Sequence, residues 1–208
     1  MTRGDVERFF KVLSREYPKP VRILLIGGGA SIVQAEPRDT EDLDFEIRAS
    51  IQSAVAESDR GELVRAIEQA KFALGIKVQF TDEIGRWSMI PWPDYQRNSR
   101  LWKRFGSCSV FVLNPEVYAI SKLVRGTDTD HDDIVKVMKY HPGSWKKLAV
   151  LSGRALREAP MSDVLHLFRQ QVEHFFERTA PRIWGPRFKP GPALALFAMS
   201  YRKSTRGR

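Results

Sequence analysis

The sequence predicts an α/β half built on a sheet, followed by a helical half and a basic tail. Three observations carry this reading. The run "VRILLIG" (21 to 27) is continuously apolar and ends in three glycines, as a strand buried on both faces does. "DLDFEI" (42 to 47) alternates charge with Leu43, Phe45 and Ile47, the period of a half-buried strand. In the second half Val164, Leu165, Phe168, Val172, Phe175 and Phe176 recur at helical spacing. The expected boundaries are 1–113 for the α/β core, 114–180 for the helical domain and 181–208 for the tail.

Residues 2 to 16 open the chain as a helix, with Thr2 as N-cap, Asp5 completing a variant capping box, and Phe9, Val12 and Leu13 as the buried stripe. After the first strand, Ala30 to Gln34 reads as a short helix. Residues 60 to 74 form a longer one, with Leu63, Ala66, Ile67 and Ala70 on one face. Ile76, Val78 and Phe80 alternate with Lys77 and Gln79 and give a further strand. "RWSMIPWPDYQ" (86 to 96), with two prolines and two tryptophans, reads as an irregular aromatic loop; Trp87 and Trp92 suit a core better than a base stack. "LWKRF" and "SVFVL" are the remaining strands, and helices follow over 115–125, 130–140, 145–157 and 161–178.

Composition, 42% hydrophobic and 28% charged over 208 residues, is that of a soluble globular protein. No stretch approaches the roughly 18 apolar residues of a membrane span, and "MTRGDVERFFKVLS" lacks the apolar core of an export signal. The single cysteine, Cys108, sits in an apolar context that favours a buried structural thiol, and a reducing cytoplasm fits best. Of the net charge of +9, seven positive charges fall at and after Arg182, where there is no acid; the body keeps 27 basic against 25 acidic residues. Such a tail suits a polyanion, and equally a solvated terminus, although "PALALFAMSY" within it is apolar enough to dock on the body.

A strand, a glycine turn and a helix start form an anion site, because the unpaired amides of a helix N-terminus carry partial positive charge. Neither familiar phosphate motif is complete: Ile32 stands where a dinucleotide fingerprint needs its last glycine, and no Gly-Lys-Ser/Thr follows. Asp42 and Asp44 project from one face of their strand, close enough to share a divalent cation. A solvated strand edge is the competing reading for an isolated Asp-x-Asp; here the pair follows a candidate cradle, with Arg38 and Thr40 between. "DTDHDD" fails as a calcium loop, since its glycine position is Asp133 and its twelfth position is Lys139. The histidines at 131, 141, 166 and 174 lack paired zinc-ligand spacing with the lone cysteine, and Gly-x-Ser-x-Gly is absent.

"GGGAS" followed by "RDTEDLDF" resembles the opening of the minimal nucleotidyltransferase superfamily, in its abortive-infection, type IV toxin-like branch. Gly27, Gly28, Ala30, Arg38, Thr40, Asp42 and Asp44 match that pattern, and "LNPEVYAISKLVRGTDTDHDDI" resembles its second motif at Lys122, Asp130 and Asp133. The resemblance spans roughly residues 20 to 140 and leaves 145 to 208 unmatched. It implies a mixed sheet flanked by helices and transfer of a nucleoside monophosphate from an NTP to an acceptor, with release of pyrophosphate. It implies Mg²⁺ or Mn²⁺ on Asp42 and Asp44, phosphates cradled by Gly27 and Gly28 near Arg38 and Thr40, and a third carboxylate, for which Asp82 is the candidate. Lys122 would meet a phosphate, with Asp130 and Asp133 beside it; as acids near a helix start, these two also suit a capping role.

The leading expectation is RNA, first of all tRNA, as acceptor, approached through the basic tail, with the chain acting as the toxin of a toxin–antitoxin pair. Nucleotidylation of a protein or small molecule is one alternative. A catalytically silent RNA-binding protein of the same fold is the other.

Overall fold

The computed structural model describes residues 1–35, 40–48, 57–84 and 88–202. The chain forms two compact units, one of Met1–Ile84 with Ser99–Leu113, the other of Gly85–Asn98 with Asn114–Arg208.

The first unit is a five-stranded mixed sheet with helices. Helix α1 (Arg3–Glu16) starts at Thr2, whose hydroxyl accepts from the Asp5 N–H at 3.2 Å while the Asp5 carboxylate accepts from the Thr2 N–H at 2.6 Å. This is the expected capping box, closing two of the donors that a helix start leaves open. Strand β1 (Val21–Ile26) runs straight into α2 (Gly27–Gln34), and β2 (Asp42–Arg48), α3 (Glu57–Leu74), β3 (Lys77–Thr81), β4 (Ser99–Phe105) and β5 (Cys108–Leu113) follow. The strand order is β3-β2-β1-β5-β4. The β1–β2 and β4–β5 pairs are antiparallel, and the β1–β5 and β2–β3 pairs are parallel.

Alternation assigns the two faces of this sheet. Ile23, Leu25, Leu43, Phe45, Val110 and Val112, nearly all fully buried, point to the side where α1 packs. There Phe9 and Phe10 meet Phe45 with ring centroids 6.0 and 5.9 Å apart, and Phe45 stacks on Phe80 at 5.9 Å. Cys108 is buried on this side, and burial pushes its thiol up to about 11.

Helix α2 begins three residues earlier than expected. Glycine costs about 1 kcal/mol per helical position, so three in a row read as a turn. Tertiary contact overrides that preference: a Cβ on Gly29 would lie 3.0 Å from Leu43 Cδ1 and 3.4 Å from Leu25 Cδ1, so only glycine lets the helix rest this close to the sheet.

The second unit carries α4 (Pro115–Leu123), α5 (Asp128–Tyr140), α6 (Trp145–Glu158), α7 (Val164–His174), α8 (Pro181–Trp184) and α9 (Pro190–Arg202). Buried Glu116 in the first turn of α4 accepts from the Ser144 N–H at 2.9 Å and so ties α4 to the start of α6. The helix expected over 161–178 is shorter, passing at Phe175–Thr179 into a π turn in which the Ala180 N–H reaches the Phe175 carbonyl at 2.8 Å. Pro181, which has no N–H to donate, follows directly. In the stretch expected as a tail, α9 buries Ala193, Phe197 and Ser200. A Cβ on Gly153 of α6 would come within 2.5 Å of Ser200 Cβ and 2.8 Å of the Phe197 carbonyl oxygen. The apolar "PALALFAMSY" segment therefore docks, as its composition suggested, through a glycine-permitted helix crossing.

Candidate active site

The site in the first unit grows from the register of two strands. Ile26, the last residue of β1, pairs with Asp44 of β2, so the Asp44 side chain stands where the chain turns from strand into helix. Gly27 makes that turn at φ +59°, a left-handed conformation that glycine adopts without penalty. A Cβ added there would collide with Asp44 Oδ2 and lie 3.3 Å from its Cγ. The carboxylate is thus seated against the bare Cα of Gly27. Asp42 projects from the same face of β2 one alternation earlier, past the end of the β1 ladder and toward the start of α2.

Both aspartates are partly exposed, Gly27 is partly exposed, and Gly28 is buried. The N-cap of α2 is Ile26, whose side chain makes no cap bond, and the first amides of the helix have no partner within it. Thr40 precedes the pair, with its hydroxyl 3.4 Å from the Asp42 carbonyl and its own carbonyl accepting from the Met1 amine at 2.9 Å. Arg38, like Trp87, lies outside the described residues.

One acidic residue of this face escaped the sequence reading. Glu46 shares the parity of Asp42 and Asp44 and is 2% exposed; Oε2 accepts from the Ile84 N–H at 3.0 Å, and Oε1 lies 3.5 Å from Arg48 Nε. It ties β2 to the segment after β3. Alternation through "DLDFEI" already contained this signal; its long-range partner was hidden.

Asp82 sits elsewhere. The β3 residues beside the acidic face are Lys77, Gln79 and Thr81, paired with Asp42, Asp44 and Glu46. Asp82 is one residue out of phase with them and accepts from Arg60 Nε at 2.9 Å, with Arg60 Nη2 also in contact. Among the described residues no three His, Cys, Asp or Glu side chains converge as a metal cage.

In the second unit Lys122, Asp130 and Asp133 come together. Lys122 Nζ donates to Asp133 Oδ2 at 2.7 Å and to Asp130 Oδ1 at 3.3 Å, with all three side chains almost wholly buried. Arg125 grips Asp130 with two bonds of 2.7 and 2.6 Å. Thr127 caps α5 and donates its hydroxyl to Asp130 at 2.7 Å in a second capping box. Burial alone would raise the Asp130 pKa; the hydrogen bonds from Arg125 and Thr127 and the nearby Lys122 charge outweigh it and hold the carboxyl well below its usual range. Two cations face two anions, and the cluster locks the end of α4 to the start of α5. The capping role foreseen for the acids is present at Asp130.

A five-stranded mixed sheet, with two alternating carboxylates beside a glycine-started helix, defines the class of protein that the sequence pattern resembles, the nucleotidyltransferases. The chain belongs to the family described as "Nucleotidyltransferase of unknown function (DUF6036)", which matches residues 5–176 and so takes in both the acidic pair and the Lys122 cluster. No curated protein and no solved structure matches the chain.

Proposed function

We propose that the protein transfers a nucleoside monophosphate from an NTP to an RNA acceptor at the site formed by Gly27, Asp42 and Asp44. One observation carries the reading: the Asp44 carboxylate is packed against a left-handed glycine at the head of a helix whose N-cap, Ile26, offers no side-chain bond. A solvated strand edge needs no such fit.

The donor set suits a hard cation. Two carboxylates on one strand face, with no cluster of three acidic, histidine or cysteine side chains among the described residues, match Mg²⁺, which binds through one or two carboxylates plus substrate phosphates. Asp42 and Asp44 would hold it, and when bound it would neutralise charge on the triphosphate and on the departing pyrophosphate. The chain's own contribution is placement. The amides at the start of α2 attract phosphate oxygens, and Gly27 leaves room for the Asp44 carboxylate to sit beside them. An acceptor hydroxyl bonds to the α-phosphorus, the bond from that phosphorus to the bridging oxygen breaks, pyrophosphate leaves, and the hydroxyl proton passes to solvent. The Lys122 cluster has a supporting part in this reading, as the buried anchor of the helical unit.

RNA is favoured as acceptor by the net charge of +9 and by the acid-free sequence from Arg182 onward. Placement as the toxin of a toxin–antitoxin pair rests on the resemblance in the first motif, and placement in the cytoplasm on the lone buried thiol of Cys108. Incubation with labelled NTPs, Mg²⁺ and total RNA should label RNA of tRNA size, and Asp44→Ala should abolish the label. Label on protein alone would move the acceptor. Label that persists in Asp44→Ala would sink the site.

A further inference from the structure

The acidic face of the sheet changes character along its length. Arg48 of β2 pairs directly with Arg22 of β1, Arg22 pairs with Ser109 of β5, and Ser109 pairs with Arg104 of β4. Three arginines thus occupy one row across four adjacent strands, on the face that also carries Asp42, Asp44 and Glu46. Like charges directly opposite each other on a sheet are destabilising; Arg48 is offset by Glu46 and by a bond to Ser99 Oγ at 3.0 Å, whereas Arg22 and Arg104 are exposed and no carboxylate offsets them among the described residues. The Arg22 guanidinium lies 4.6 Å from the Phe111 ring centroid, and Leu101, 41% exposed, pairs with Phe111 on the next row.

The exposed part of this face is its β5–β4 side, where Arg22, Leu101 and Arg104 are exposed and Phe111 is half-buried, while Leu24 and Glu46 beside them are buried. Exposed cations beside an aromatic ring are the combination that holds a phosphodiester strand: the charges meet phosphates, and the planar guanidinium or ring accepts a base. The row lies four residues along β2 from Asp44, about 13 Å at strand rise. We infer that this end of the face binds the single-stranded end of the RNA acceptor, with Arg22 and Arg104 on its phosphates and the Arg22–Phe111 stack under a base. The inference rests on the RNA-acceptor reading above and supplies its binding surface.

The test is fluorescence anisotropy of the full chain with a labelled single-stranded RNA oligonucleotide over a range of salt, for wild type, Arg22→Ala/Arg104→Ala, Lys11→Ala/Arg15→Ala and Asp44→Ala. Losing two phosphate contacts should lower the slope of log K against log salt by about 1.4, or about 25-fold in affinity at 0.1 M salt extrapolated from 1 M. The Lys11/Arg15 variant removes the same charge from α1, on the opposite side of the sheet, and should bind as wild type. Asp44→Ala should bind RNA and fail only in labelling.

An unchanged slope in Arg22→Ala/Arg104→Ala, with RNA binding intact, overturns this surface and leaves the RNA reading standing. Wild type that binds no RNA removes both. Polyglutamate competing as well as unlabelled RNA also overturns the inference, in favour of an acidic protein on the same row.

Discussion

Replacing Gly27 by alanine should damage stability and labelling together, and the size of the effect should depend on Asp44. At φ +59° an alanine carries left-handed strain of about 1–2 kcal/mol. Its Cβ also collides with Asp44 Oδ2, and overpacking of this kind costs about 1–3 kcal/mol. Together these predict a loss of about 2–5 kcal/mol in a urea titration, with each kcal/mol worth about 2–4 °C of Tm in a chain of this size. In an Asp44→Ala background the collision disappears, because the remaining Asp44 Cβ lies at 3.4 Å, an ordinary contact. The alanine at 27 should then cost only the backbone strain, so a double-mutant cycle should return a coupling of about 1–3 kcal/mol. Equal penalties in the two backgrounds would refute the claim that the carboxylate is seated on Gly27, and with it the geometry on which the proposed site depends.

Lys122→Met should cost about 3–5 kcal/mol by urea denaturation, since it strips a buried partner from Asp130 and Asp133; Lys122→Met/Asp133→Asn should lose less than the single variant. Burial first, and then the neighbouring His174 charge, depress the His131 pKa, against a hydrogen bond to Gln171 that raises it. The unfolded chain therefore binds this proton more readily, so stability should fall as pH drops below the ordinary 6.5; His131→Gln should flatten urea midpoints between pH 7.5 and 5.5. The depressed Asp130 acts in a lower window: its contribution is complete above its ordinary 3.8 and is lost as pH falls further toward the folded value. Gly153→Ala should push α9 from α6, lowering stability by about 1–3 kcal/mol and speeding proteolysis of Pro190–Arg202, and wild-type cleavage rates would count against a close crossing.

What the sequence made legible was local. The Thr2–Asp5 box, the alternation that sets Asp42 and Asp44 on one face, and the apolar run of β1 each depend on residues a few positions apart, and each appears in the fold. Features set by distant partners were not legible. The early start of α2 depends on Leu25 and Leu43 as neighbours of Gly29, the burial of Glu46 on the Ile84 amide, and the arginine row on a strand order that periodicity does not encode. The burial of Lys122 between two carboxylates was hidden as well, because they lie 8 and 11 residues away, across a turn between helices. The site was legible where it follows strand alternation, and opaque at Asp82, whose parity was visible but whose tie to Arg60 was not.

The wide turn at Phe175–Thr179 works as a phase shifter. An i→i+5 closure holds one residue more than a regular turn, so side chains beyond it are rotated by about 100° from where the preceding heptad would place them. That offset delivers Thr179 Oγ1 to within 2.8 Å of His131 Nδ1 and brings Pro181 into the first turn of the next helix, where a missing amide hydrogen does no harm. The helical unit thus steers its C-terminal sequence by a counting irregularity in the backbone, with no glycine hinge at that point.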